Sequence, residues 1–211
     1  MTFPTCQLCN SNSKLFCDKL KHLFYKCTNC DGIFRPKYTF LSADEEKAHY
    51  EKHNNDVFDQ RYQAFVSPIV NAVLHDFSPE AKGLDFGSGT GPVIAKMLTD
   101  KGFQVQNYDL FFANDLALLK EKYNYVSCCE VMEHFHHPYQ EFELLKNLLL
   151  PKGKLYCKTV IYNNQTPFEN WYYKDDFTHV FIYQIKTLEW IKAEFSFSNL
   201  IIKEKLLVFE N

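Results

Sequence analysis

Leu84-Asp85-Phe86-Gly87-Ser88-Gly89-Thr90-Gly91 decides the fold. The chain has seven glycines, and three of them fall within residues 87–91. Residues 82–86 read as a strand, and residues 92–101 read as a helix closed by Gly102. Glycines between such a strand and helix permit a tight turn and let a ligand approach the backbone closely. A dinucleotide site wants Gly-x-Gly-x-x-Gly. Position 92, where its third glycine would fall, is Pro. The spacing here is Gly-x-Gly-x-Gly, with an acidic residue, Asp85, two positions ahead.

Downstream of this turn, strand and helix signals alternate. Strands are expected at 104–109, 125–130 and 154–160, and one or two short ones between 200 and 209. Helices are expected at about 115–122, 138–150 and 188–194, and Pro151-Lys152-Gly153 reads as a turn. Alternation of this kind implies a mostly parallel sheet with helices on both faces. Upstream, residues 41–80 read as helices. Ser42-Ala43-Asp44-Glu45 fits a capping box. Phe58, Tyr62, Phe65, Val66, Ile69, Val70, Val73 and Leu74 follow a helical period. Ser67-Pro68 predicts a restart of that helix with a bend.

Residues 1–40 differ in composition and carry two cysteine pairs, Cys6-x2-Cys9 and Cys27-x2-Cys30, seventeen residues apart. Two residues between thiols let one turn aim both sulfurs at a single ion, and two such turns complete a tetrahedron that suits zinc. Four thiolates leave no open position, so the expected zinc is structural. No βαβ pattern surrounds either pair, which argues against a redox motif. Cys17, Cys128, Cys129 and Cys157 lack paired spacing and read as ordinary buried thiols. The organisation expected is a zinc-ribbon-like module at 1–40, a helical segment at 41–80 covering the site, and an α/β domain at 81–211.

Apolar residues make up 46% of the 211 positions, enough for a packed core. The formal net charge of −3 gives no sign of a large nucleic-acid-binding face. Neither a signal-peptide pattern nor a membrane-spanning run is present, so a reducing, cytoplasmic setting is expected, with no membrane partner.

The glycine turn resembles the first motif of class I S-adenosylmethionine-dependent methyltransferases, in which an acidic residue ends the strand and the glycines cradle the methionine part of the cofactor. The resemblance implies a Rossmann-like methyltransferase sheet. It places Asp85, Gly87, Ser88, Gly89 and Gly91 at the cofactor. It also asks for an acidic residue at the end of the second strand to bind the ribose hydroxyls, and Asp109 stands there. Glu130-Val131-Met132-Glu133-His134 is similar to a stretch after the fourth strand of such enzymes. Leu148 to Leu155 resembles their helix–turn–strand passage. Asp175-Asp176-Phe177-Thr178-His179-Val180, with Thr187-Leu188-Glu189-Trp190, resembles a bacterial subgroup with N-terminal cysteine pairs. Only fifteen residues separate Asp109 from the strand at 125, so the family's third strand is expected to be missing or shortened. Phe111, Phe112 and Leu116 are apolar candidates for the adenine side.

Methyl transfer needs alignment and, for an oxygen or nitrogen acceptor, a base. Glu130, Glu133, His134 and His179 are expected to converge there as catalytic residues, with His136 and His137 nearby. Glu130-x-x-Glu133-His134 with His179 also resembles the metal site of small-RNA 2′-O-methyltransferases, which implies a possible second divalent ion. The aromatic loop 168–177, with Trp171, Tyr172 and Tyr173, is expected as one wall of the acceptor pocket. The segment with His49, Tyr50, His53 and Tyr62 is expected as another. Three functional readings remain open: transfer to a small-molecule or glycan-like acceptor, transfer to RNA placed by the zinc module, and a non-catalytic binding module. A basic stripe of Lys14, Lys19, Lys21, Lys26, Arg35 and Lys37 would favour RNA.

Overall fold

A computed structural model describes residues 3–19, 22–52 and 55–211. Lys21 and His53 lie outside the described residues. The chain opens with β1 (Ser13–Lys19), β2 (His22–Cys27) and β3 (Ile33–Phe34), followed by α1 (Ala43–Tyr50) and α2 (Gln60–Asp76). Then come β4 (Lys82–Phe86), α3 (Val93–Thr99), β5 (Gln104–Tyr108), β6 (Tyr123–Cys129), α4 (Pro138–Leu148) and β7 (Leu149–Lys158). β8 (Phe181–Ile182), α5 (Ile185–Glu194), β9 (Asn199–Lys203) and β10 (Leu206–Glu210) complete it.

Two sheets result. The larger runs β5-β4-β6-β7-β10-β9. Its first four strands are parallel, and β10 joins β7 and β9 antiparallel. β5 forms an edge: residues 109–122 add only an isolated bridge between Asp109 and Ala113 and a short 3-10 turn at Leu118–Lys120. The expected shortening at the third strand is therefore present, but the helix expected at 115–122 is not. The Asp115 side chain accepts from the Ala117 N–H at 2.9 Å, a local bond that competes with a regular helix.

The smaller sheet, β1-β2-β3-β8, is antiparallel. Its fourth strand comes from far down the chain, between β7 and α5. Ile33 pairs with Ile182, and Phe34 with Phe181. Gly32 allows this contact, because a Cβ there would lie 2.4 Å from the Phe181 ring.

The helical segment follows the sequence closely. The capping box forms at Ser42 and Glu45. α2 buries Val66, Ile69, Val70 and Val73 against the larger sheet, where Tyr125, Tyr156 and Val208 meet them. It does not restart at Ser67. Pro68 lies inside a continuous helix capped by Asp59. Proline cannot donate to the carbonyl of residue 64, and the Ser67 hydroxyl donates there in its place at 2.8 Å. Pro151-Lys152-Gly153 is likewise not a separate turn. It is an irregularity within β7, where Lys152 has φ 64° and the β6–β7 register shifts. No helix among the described residues is long and apolar enough to cross a membrane.

Candidate active site and cysteine cluster

The carboxyl ends of β4, β5 and β6 open into a cavity of about 670 Å³, where open α/β sheets place ligands. One side is the glycine turn. Gly89 has φ 65°, a left-handed conformation natural to glycine, and its N–H donates to Asp109 Oδ2 at 2.9 Å. Asp109 Oδ1 accepts from the N–H groups of Phe111 (2.8 Å) and Phe112 (3.1 Å). One carboxylate thus fixes the turn and the start of the following loop. A Cβ on Gly91 would lie 1.7 Å from the Asn55 carbonyl oxygen, so only glycine lets that segment close over the turn. Asn55 lines the cavity, and no sequence motif announces it.

Gly87, Ser88, Gly89 and Asp109 line the cavity, as do Phe111 and Phe112, whereas Gly91, which packs against the Asn55 carbonyl, and Leu116 do not. Asp85 lies behind the turn, 4% exposed. Its Oδ1 accepts from Ser127 Oγ at 2.8 Å, and burial pushes its carboxyl up to about 6. Asp85 therefore supports the turn from beneath.

The other end of the cavity holds Glu133, His134 and His179. One ligand atom from each lies within 4.8 Å of the others. Glu133 and His134 sit on the 3-10 turn Met132–His134 that follows β6, and His179 just precedes β8. Each imidazole donates its Nδ1–H to a main-chain carbonyl: His134 to Thr178 (3.0 Å) and His179 to Tyr173 (2.7 Å). A carbonyl only accepts, so the proton is on Nδ1 and Nε2 keeps its lone pair. Burial pushes His134 down to about 4 and lowers His179, so both rings are neutral at neutral pH. Glu133 is fully buried, and burial raises its carboxyl. Its Oε1 accepts from the Tyr173 hydroxyl, and its Oε2 has no hydrogen-bond partner among the described residues.

Glu130 lines the same cavity without joining this group. It holds φ 52°, and its carboxylate pairs with Lys158 Nζ at 3.2 Å. His136 pairs with Glu46 at 2.8 Å, and His137 lines the cavity just ahead of α4. Trp171 and Tyr173 do not form the expected pocket wall. They pack with Phe24, Ile33, Tyr162 and Phe168 against the smaller sheet, and Tyr172 is exposed. That loop reaches the cavity through Asp176. Tyr50 and Tyr62 line it as expected, and His49 does not.

Outside the cavity, Cys6, Cys9, Cys27 and Cys30 converge. Their four Sγ atoms lie within 4.8 Å of one another, with Cys6–Cys30 at 3.7 Å and Cys9–Cys27 at 3.3 Å. A tetrahedron of Zn–S bonds of about 2.3 Å has edges of about 3.8 Å, so the donor set fits zinc. The residue after each pair, Asn10 (φ 54°) and Asp31 (φ 62°), takes the left-handed conformation that turns the chain back. The N–H groups of Asn29 and Cys30 donate to Cys27 Sγ, as a thiolate there requires.

A family model for the methyltransferase domain matches residues 58–200, more than half of the chain. The chain belongs to the methyltransferase-domain family. Solved structures agree on the methyltransferase fold. An O-methyltransferase family protein from Burkholderia thailandensis superposes with a TM-score of 0.54 at 13% identity, covering 78% of this chain and 61% of its own. A SAM-dependent methyltransferase from Archaeoglobus fulgidus gives 0.55 at 14% identity, covering 71% and 94%. The methyltransferase of calicheamicin biosynthesis, in its SAH-bound form, gives 0.52 at 13% identity, covering 79% and 57%. The chain spans about three-fifths of the length of the first of these. No curated protein matches the sequence. The cavity lies wholly within the matched segment except for Glu46, Tyr50 and Asn55.

Proposed function

We propose that this chain transfers a methyl group from S-adenosylmethionine to a hydroxyl of a small, uncharged or cationic acceptor, and that zinc on Cys6, Cys9, Cys27 and Cys30 is structural. The observation that carries this is one continuous cavity with the glycine turn at one end and two imidazoles, tied through Nδ1 to the main chain, beside a buried carboxylate at the other. The turn fits the cofactor, since Gly87, Ser88 and Gly89 line the cavity and Gly89 takes the left-handed conformation at φ 65°. Gly87, Ser88 and Gly89 would hold its methionine part and Asp109 its ribose. When bound, it supplies an activated methyl on a sulfonium.

The protein's part is alignment and proton removal. Nε2 of His134 or His179 accepts the acceptor hydroxyl's proton. Glu133 beside them offsets the charge that the ring gains. Tyr173 and Thr178, through their carbonyls, keep both lone pairs facing inward.

The lining supports a small acceptor over RNA. It contains Glu46, Asp109, Glu130, Glu133, Glu141 and Asp176, and no Lys or Arg among the described residues. A phosphodiester would meet repulsion there. Within the basic stripe, Arg35 is buried, Lys19 pairs with Glu169, and Lys26 pairs with Asp31, while Lys14 and Lys37 are exposed.

A second reading is favoured by the unpartnered Glu133 Oε2. With His134 Nε2 and His179 Nε2 it forms a two-histidine, one-carboxylate donor set that fits a divalent ion. Main-chain carbonyls on both Nδ1–H groups are the outer partners such a site uses.

The test is a labelled-methyl screen against small-metabolite and RNA pools, with and without a chelator, while zinc content is monitored. Transfer to a small hydroxyl compound, lost in His179→Ala, is expected. Transfer to RNA alone overturns the acceptor assignment. Cofactor binding with no transfer in any pool favours a non-catalytic module. Loss of transfer on chelation, with zinc retained, selects the divalent ion.

A further inference from the structure

Arg35 lies outside the cavity, and the chemistry above makes no use of it. It is nonetheless 1% exposed, the largest side chain among the fully buried ones. Its guanidinium lies over the rings of Phe24 (4.4 Å) and Phe177 (5.1 Å). A buried cation is costly unless hydrogen-bonded. Here its donors go to main-chain oxygens of one short segment: Nε to His179 O (3.2 Å), and Nη2 to Lys174 O (2.7 Å) and Asp176 O (3.4 Å). Nη2 also lies 3.3 Å from His22 Nδ1, and the main-chain N–H of Arg35 donates to Val180 O at 2.9 Å.

The same segment faces the cavity with its other carbonyls. Tyr173 O holds His179 Nδ1, and Thr178 O holds His134 Nδ1. Val180 N–H donates to Glu133 O at 3.0 Å. Residues 173–180 are thus gripped from outside by Arg35 and orient both imidazoles from inside. The grip comes from the cysteine module, because Arg35 directly follows β3, and the second cysteine pair spans the end of β2 and the turn into β3.

We propose that Arg35 is a positioning residue for the Glu133–His134–His179 group, and that through it the four-cysteine module sets the geometry of the acceptor end of the cavity. The inference rests on the reading in which that group receives the acceptor. The module's role is then internal: it braces the loop that aims His134 and His179.

The experiment compares the full-length parent with Arg35→Ala and Arg35→Lys. It measures kcat, cofactor affinity by calorimetry, and residue-resolved amide exchange. Arg35→Ala is expected to lose about 10- to 100-fold in kcat, the usual effect of removing an outer-shell partner. Cofactor affinity stays at the parental value, because the glycine turn is untouched. Amide exchange accelerates at 174–180 and not in α4 or β7. Free guanidinium at sub-denaturing concentration restores part of the lost rate. Arg35→Lys covers the case in which the alanine variant does not fold. One ammonium cannot span three carbonyls, so its kcat also falls while its melting temperature holds. Parental kcat in Arg35→Lys, or parental exchange at 174–180 in folded Arg35→Ala, overturns the proposal. So does an exchange increase spread evenly over the chain. If the parent transfers no methyl group, or His179→Ala keeps full activity, the functional reading fails. The exchange result still decides whether Arg35 holds the loop.

Discussion

The Tyr173 hydroxyl donates to Glu133 Oε1 and accepts in turn from Thr159 Oγ1 at 3.0 Å, so one carboxylate oxygen is tied down while the other, Oε2, is buried without a hydrogen-bond partner among the described residues. Burial and the neighbouring carboxylate both disfavour the phenolate, so Tyr173 stays a donor throughout the working pH range.

Tyr173→Phe should therefore take the phenol donor away from a fully buried carboxylate. The expected loss is about 1–3 kcal/mol of stability, the cost of stranding a buried acceptor. Urea denaturation measures it. Unchanged stability would mean that Glu133 finds another donor or is protonated.

Asp85 gives a pH dependence with a definite sign. Its folded carboxyl stands at about 6 against an ordinary 3.8, with burial the main cause and the Ser127 hydrogen bond opposing. The folded chain then binds more protons than the unfolded chain between these values. Stability from this group falls as pH rises through about 4 to 6, by roughly 3 kcal/mol at 1.36 kcal/mol per unit. Asp85→Asn removes that dependence. The variant should exceed the parent in stability at pH 8 and lose its advantage near pH 4. An equal difference at both values would show that Asp85 is not the titrating group.

At the cysteine cluster, protein prepared without added metal should carry about one zinc per chain. Cys27→Ser should lose it, because Cys27 contacts both its partner Cys9 and the N–H groups of its own turn. Elemental analysis decides the matter, and full zinc in the variant sinks the assignment.

Asp109→Ala should weaken S-adenosylhomocysteine binding by roughly 1.5–3 kcal/mol, the range for a hydrogen bond to a charged group. Calorimetry reads this directly. Gly91→Ala should be at least as damaging, since its methyl would run into the Asn55 carbonyl. Parental binding in both would remove the glycine turn from the cofactor site.

The legible parts of this fold are those governed by short-range rules. The glycine spacing, the capping box at Ser42, the cysteine pairs and the strand at Lys82–Phe86 depend on neighbours in sequence, and the structure has each of them. The convergence of Glu133, His134 and His179 was readable from topology, because both segments leave the same sheet edge. Arg35 and Asn55 were not readable. Arg35 in sequence is one cation among several, and its burial depends on aromatic rings and carbonyls about 140 residues away. Asn55 acts at Gly91 through its main chain, which no residue type reveals. Glu130 misled for the opposite reason: its spacing suits the histidine group, but Lys158 on the adjacent strand pairs with it. The aromatic loop misled because tyrosine and tryptophan serve a core as readily as a pocket.

The pairing of β3 with β8 has a consequence for biosynthesis. Ile33 emerges from the ribosome early, while its partner Ile182 is made after most of the remaining chain. Until then the small sheet has an open edge, and Phe24, Ile33 and Phe34, which are buried in the finished protein, lack their cover from Phe168, Trp171 and Phe181. The two cysteine turns need only residues 6–30 to come together, but the sheet behind them waits for a contact of very long sequence separation, the slow kind to form. Convergence of the cysteines and completion of the small sheet are therefore separate events in time, with the apolar face of a half-built module exposed between them.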